Sequence, residues 1–245
     1  MVFLGRILDF FSLILALFWS AFIAALSVPM FWVNEKWGQV CHHAFGKGWL
    51  FLFNIKVDWV GLENLPPGGG VILAPNHESM MDIPLLSSLD YDLRWLSKEE
   101  VGKIPFIGAS MRAMGCYFVK RNRSAEDLNV MKEVENGLRS GASIVIFPEG
   151  TRTRTGDLLP LKKGAFRTAL NSGVPLVPVG ITGSFAVALA GSFPSRNHRI
   201  TVRIGKPLFL DPKLSLDSAQ KEYHLALIKL LSLDRGSAYN GKLLK

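Results

Sequence analysis

Cysteine is nearly missing: two among 245 residues, Cys41 and Cys116. That excludes a disulfide framework and fits a reducing compartment where both stay thiols. No spaced set of metal ligands appears; Cys41-His42-His43 is too compressed for a usual zinc site and reads as helix-face residues. The run Gly68-Gly69-Gly70 precedes an apolar stretch instead of following one, so it is not a dinucleotide fingerprint. There is no Gly-x-Ser-x-Gly elbow, no internal repeat and no low-complexity tract. Acidic residues are the minority, 20 against 28 Lys and Arg, for a net charge of +8. Hydrophobic content of 49% and a mean hydropathy of +0.24 are high for a freely soluble protein. An apolar yet basic chain points to an anionic membrane surface before nucleic acid, for which no recognisable module is present.

What the chain does have, first, is a long uncharged run. Between Asp9 and Glu35 lie 25 such residues, Phe10 to Asn34. As a helix they would extend about 37 Å, against a hydrocarbon core of about 30 Å. Asp9 spoils the basic start of a signal peptide, and the run is longer than an h-region. Ser12, Ala16, Ser20 and Ala24 recur every four residues, a small-residue stripe suited to close helix packing. Trp37, Val40, Ala44, Gly48 and Phe51 follow at helical spacing, with Lys36, Gln39, His43 and Lys47 opposite. This reads as an amphipathic interfacial helix, with Trp32, Trp37 and Trp49 at headgroup level. Spanning and re-entrant insertion are equally compatible with the pattern.

The second feature is Asn76-His77-Glu78-Ser79-Met80-Met81-Asp82, just past the strand-like run Val71 to Pro75. Imidazole titrates near neutrality, so a histidine held by a carboxylate can take a proton from an alcohol. On a regular helix these two side chains would diverge by roughly 140°. They can meet only if the turn is irregular, and Pro84 biases Ile83 away from helical angles. A third stretch, Phe147-Pro148-Glu149-Gly150-Thr151-Arg152, follows another strand-like run, Ser143 to Ile146.

Together these stretches resemble the glycerolipid acyltransferases, best represented by the 1-acylglycerol-3-phosphate acyltransferases. Four blocks stand in the family's order: Asn76 to Asp82, Gly115 to Arg121, Phe147 to Arg152, and Val174 to Val179. The resemblance covers roughly Val57 to Gly205; Lys98, Pro105 and Gly108 also match. It implies transfer of a fatty acyl group from a thioester, of acyl-CoA or acyl carrier protein, to the sn-2 hydroxyl of 1-acylglycerol-3-phosphate, giving phosphatidic acid. His77 would be the general base and Asp82 its partner. Arg121, Glu149, Gly150, Thr151 and Arg152 would bind the acceptor, the two arginines taking its phosphate. Glu149 would shape the turn or orient Arg152 or a glycerol hydroxyl. No metal or resident cofactor is implied. The family often carries Asp where Lys120 stands, so another lysophospholipid or a lyso-aminolipid remains an alternative acceptor. A hydrolase using the same pair on water, and a non-enzymatic lipid-binding protein, are the other classes. Ser79 is a nominal rival nucleophile to which the resemblance gives a positional role.

The expected architecture is α/β: a mixed sheet flanked by helices, preceded by a membrane-associated helical pair. Residues 1–55 form that segment and 56–245 the acyltransferase domain, expected on the cytoplasmic side. Strands are expected at Lys56 to Val60 (an edge), Val71 to Pro75, Arg94 to Ser97, Cys116 to Val119, Ser143 to Phe147 and Arg199 to Gly205. The stretch Val174 to Val179, with two prolines, is placed at the periphery as either a core strand or an acyl-pocket wall. Ser124 and Asp127 mark a helix start, with Leu128, Met131, Val134 and Leu138 inward. Lys162 to Asn171 and Ser218 to Leu231 complete the helices. Arg94, Lys98, Lys103, Arg112, Lys120, Arg121 and Arg123 form a basic run suited to anionic lipid or the carrier's phosphates, or simply a solvated face.

Overall fold

The computed structural model describes residues 2–122, 124–188 and 192–236. Two helices come first, α1 (Val2–Val33) and α2 (Glu35–Leu52). The strands are β1 (Lys56–Val60), β2 (Ile72–Pro75), β3 (Arg94–Lys98), β4 (Tyr117–Val119), β5 (Ile144–Val145), β6 (Leu176–Thr182) and β7 (Arg199–Ile204). Between them run α3 (Asp82–Ser87), α4 (Glu99–Gly102), α5 (Ile107–Ala113), α6 (Ala125–Arg139), α7 (Gly164–Ser172) and α8 (Ser184–Val187), and α9 (Leu216–Arg235) closes the fold.

The seven strands make one sheet in the order β1-β7-β6-β2-β5-β3-β4. All neighbours are parallel except β6 and β7, which run antiparallel. Successive side chains of a strand face opposite layers. In and beside β2, Val71 and Leu73 join the layer of α2 and α3, with Met81, Leu85 and Trp95. Ile72 and Ala74 face α6, α7 and α9, with Val134, Leu138, Phe166, Tyr223 and Leu227. The buried hydroxyl of Tyr223 donates to the carbonyl of Ala74 at 2.7 Å, so α9 is pinned to the strand that leads into the His77 turn.

The edge position of β1 is as expected, but the proline-bearing strand is not peripheral. β6 lies between β7 and β2, and Leu176, Val177 and Val179 are fully buried, which makes this stretch core rather than pocket wall. Pro178 is tolerated because the β6–β7 ladder begins only at Val179, while its carbonyl still accepts from Gly205 at 2.8 Å. The α6 start is capped by Ser124 as expected, but Leu128 points outward and Asp127, Val134 and Leu138 inward.

The small-residue stripe of α1 is buried along its length. It admits two indoles: Trp49 Nε1 donates to Ser20 Oγ at 2.8 Å, and Trp19 Nε1 donates to the Ala44 carbonyl at 3.1 Å. The second helix is turned differently from the sequence reading. Trp37, Val40 and Phe51 face outward, whereas Gln39, Cys41, His42, His43 and Trp49 are buried. Trp49 therefore sits in the core, stacked on Phe53, and not at headgroup level. The reason is that α2 serves two neighbours at once. Ala44, Gly48 and Trp49 meet α1, while Gly46 meets α3, where a Cβ would lie 2.4 Å from the Pro84 carbonyl oxygen. His42 accepts from the Trp95 indole at 3.2 Å, an interior polar pair instead of a surface one.

From Gly5 to Val33, α1 is long and apolar enough to cross a membrane. Its other side exposes Phe11, Phe18 and Phe22.

Candidate active site

The site is assembled where β2 ends. Asn76, the next residue, uses its side-chain amide as a backbone substitute. Its Oδ1 accepts from Ile181 N at 2.7 Å and its Nδ2 donates to Ile181 O at 2.9 Å, which fixes the exit from the sheet. Residues 77–81 are not helical, and α3 begins at Asp82. That irregular turn brings the pair together: His77 Nδ1 lies 2.8 Å from Asp82 Oδ2. Pro84 is not its cause. It occupies the first turn of α3, where its missing N–H costs no helical bond, and Ile83 is helical.

Asp82 is completely buried, and its Oδ2 also accepts from the backbone N–H groups of Glu78 (2.8 Å) and Ser79 (2.9 Å). One oxygen thus holds both the ring and the turn. With Nδ1–H donating to Asp82, Nε2 carries the lone pair available to a substrate. The imidazole is backed by Phe147, stacked at 3.8 Å between centroids and 20° between planes. Ser79 is buried and donates to the Ala188 carbonyl at 3.1 Å while accepting from Met81 N, a structural role.

Glu149 serves the same turn from the third block. Oε1 accepts from His77 N at 2.7 Å and Oε2 from Leu159 N at 2.8 Å. Both oxygens point inward, not at Arg152. Burial pushes its carboxyl up to about 7, against the lowering effect of the two N–H groups and reinforced by nearby Asp82. The carbonyl of His77 in turn accepts from Thr153 N at 3.0 Å, so the first and third blocks are stitched along their backbones.

Beside this pair the turn at Gly150 (φ +69°) gathers positive charge. Arg121 Nη1 donates to the Gly150 carbonyl. Arg121 itself has φ +62°, a conformation secured by Asp127, whose carboxylate accepts from Lys120 N at 2.7 Å and Asn122 N at 3.0 Å. Lys162 passes over the bare face of Gly150, where a Cβ would stand 2.7 Å from its Nζ. Thr151 and Arg152 are exposed at the same turn. Among the described residues none of Arg121, Arg152 and Lys162 forms an ion pair. Lys162 was not singled out as a site residue in the sequence, because only the fold carries the segment before α7 back over Gly150.

Lys120 is turned to α6, paired with Glu126. The wider basic run is not one continuous free face. Arg94 pairs with Glu35 at 3.2 Å, Lys103 with Glu99 at 3.1 Å, and Arg112 covers the Phe118 ring; Arg123 lies outside the described residues. Two further residues of the site were not singled out in the sequence, Glu78 and Arg235. Glu78 is buried, and its Oε1 accepts from Asn76 Nδ2 at 2.9 Å and from Arg235.

A protein-family model described as Acyltransferase matches residues 56–182. A 1-acyl-sn-glycerol-3-phosphate acyltransferase of Brassica napus, described as chloroplastic, is 35% identical over 187 residues, covering 74% of this chain and 54% of that one. The enzyme so named from Borreliella burgdorferi is 39% identical over 134 residues, 53% of this chain and 52% of its own. The chain thus spans a little over half the length of these curated relatives. The crystal structure of the 1-acyl-sn-glycerophosphate acyltransferase of Thermotoga maritima superposes with a TM-score of 0.83 over 95% of this chain and 96% of that one. At 24% identity, that likeness establishes the fold.

Proposed function

The chain belongs to the Acyltransferase family, and on that premise we propose that it acylates the sn-2 hydroxyl of 1-acyl-sn-glycerol-3-phosphate from an acyl thioester at a membrane surface. The observation that carries this reading is the His77–Asp82 contact at 2.8 Å beside Arg121, Arg152 and Lys162, none of which forms an ion pair among the described residues. A hydrolase of water would need the pair but not the cations. A lysophosphatidate acceptor, with nearly two negative charges on its phosphate, needs both.

In the proposed reaction Nε2 of His77 removes the acceptor's hydroxyl proton as its oxygen attacks the thioester carbonyl. A C–O bond forms, the C–S bond breaks, and the imidazolium returns the proton to the departing thiolate. Asp82 holds the ring's tautomer and stabilises the imidazolium without taking the proton. The acceptor alcohol is the nucleophile, so no enzyme nucleophile is used. Arg121, Arg152 and Lys162 hold the phosphate, and Gly150 and Thr151 shape that turn. Glu149 acts through the backbone of His77 instead of touching the acceptor. The carrier is acyl-CoA or acyl carrier protein, as co-substrate, and no resident cofactor takes part. The outward apolar side of α1 and the exposed Trp32, Trp37 and Phe51 support seating on an anionic bilayer, with the catalytic domain on the cytoplasmic side.

The test is an acceptor panel with purified protein in detergent or liposomes, with each donor supplied in turn. Acylation of lysophosphatidate above other lysolipids, with little free fatty acid when the acceptor is omitted, supports the proposal. Preference for a lyso-aminolipid or another lysophospholipid overturns the acceptor, and free fatty acid release at the same rate without acceptor overturns acyl transfer.

A further inference from the structure

The catalytic turn is held by one residue from the far end of the chain. Arg235, in the last turn of α9, donates through Nη2 to Glu78 Oε1 and through Nη1 to the Gly156 carbonyl at 2.9 Å. Glu78 directly follows His77, is 3% exposed, and receives Asn76 Nδ2 on the same oxygen. Gly156 N donates to Thr153 Oγ1 at 3.2 Å, and Thr153 N donates to the carbonyl of His77. The two arms of one guanidinium therefore close a ring: His77 to Glu78, across Arg235 to Gly156, and by way of Thr153 back to His77.

We propose that Arg235 is a positioning residue for His77, bridging the residue after it to the loop after the third block and so fixing the attitude of the imidazole. The inference rests on the reading of His77 as general base for its kinetic consequence, though not for its geometry. A buried carboxylate stripped of its partner is costly and would draw water or rearrange the turn. Displacement of a base by about 1 Å is enough to cost roughly 100-fold in rate. Lysine cannot substitute, because one ammonium does not reproduce a planar fork directed at two acceptors.

Three variants of the full chain test this, each read by thermal melting, by kcat and KM for donor and acceptor, and by the rate at which diethyl pyrocarbonate modifies His77. The modification rate, followed by peptide mass spectrometry, needs no substrate and so stays informative if the proposed reaction is wrong. Arg235→Gln is expected to lower kcat by roughly 10- to 100-fold with little change in either KM, and to raise the His77 modification rate. Arg235→Lys, which keeps the countercharge, should melt like wild type and still lose kcat, a result that a merely structural role would not give. In Glu78→Gln/Arg235→Gln the charge to be compensated is gone while the residue at 78 can still accept from Asn76. The bridge is still absent, so the melting temperature should recover while kcat stays near that of Arg235→Gln. Wild-type kcat and His77 modification in Arg235→Lys would overturn the bridge. Wild-type kcat in the double variant would also overturn it, since charge compensation alone would then account for the role of Arg235. The same His77 modification pattern across these variants in a protein with no acyl transfer at all would count against the proposed function and leave the positioning role standing, whereas unchanged modification in Arg235→Gln would overturn positioning.

Discussion

Glu149 holds His77 by its peptide nitrogen, with Oε1 accepting that N–H at 2.7 Å, and leaves the ring to Asp82 and Phe147. The acid of the third block therefore braces the backbone of His77, with both of its oxygens taken by N–H groups.

The brace should show in stability against pH. Burial raises the Glu149 carboxyl from 4.5 to about 7, so between those values the folded chain binds more protons than the unfolded one. Stability must then fall as pH rises through that window and level off above it, a swing on the order of 3 kcal/mol. Glu149→Gln removes the swing. Melting in detergent at pH 5 and pH 8 is expected to show a smaller difference for the variant than for wild type, and equal differences would refute the assignment.

His77→Ala is expected to abolish turnover with melting temperature and liposome binding nearly unchanged, because the ring is needed only for proton transfer. Asp82→Asn should also be severe, since an amide supports the wrong tautomer and cannot stabilise imidazolium. Turnover near wild type in His77→Ala would end the mechanism.

Each cation at the Gly150 turn is tested separately. Arg121→Ala, Arg152→Ala and Lys162→Ala should each reduce kcat/KM for the phosphate-bearing acceptor by roughly 10- to 150-fold, with far smaller effects on the donor. Arg152→Lys should recover little. Lys120→Asp should leave acceptor preference unchanged, given that Lys120 is occupied by Glu126. Equal losses with phosphate-free acceptors would remove the clamp.

Removing everything before Lys56 should release the protein from liposomes, but it also strips α2 from α3 and so confounds binding with folding. The sharper variant is Phe11→Ser/Phe18→Ser/Phe22→Ser, which touches only outward side chains. It is expected to lower sedimentation with anionic liposomes while turnover on detergent-dispersed acceptor persists. Full sedimentation of the triple variant would give the anchoring to other surfaces.

The apolar run Val71 to Pro75, the Ser124 cap and the small-residue stripe of α1 were legible because each signal is local to its own segment, and each stands where the residues put it. The reading failed where one segment answers to two neighbours. In α2 the apolar Trp37 and Phe51 are outside and the polar Gln39 and His42 inside, because α3 packs on the second side. Pro178 looked peripheral because a proline forfeits an N–H, but whether that N–H had a partner depends on where the next ladder begins. At the site, His77, Asp82, Arg121 and Arg152 were visible as a pattern of residue types. Lys162 and Arg235 were not, because nothing local marks a side chain that arrives from a later segment of the chain.

The contact at Gly46 has no room for even a methyl group, so the α1–α2 hairpin and the helix that begins with Asp82 cannot slide past one another. On the proposed seating, that contact works as a depth gauge. The height of the imidazole above the lipid is set by two backbones touching, not by a tether. Such an enzyme has no need to lift its acceptor out of the leaflet. It would find the glycerol hydroxyl at the level where the bilayer already presents it, and discriminate between lipids by how far below the surface that hydroxyl lies.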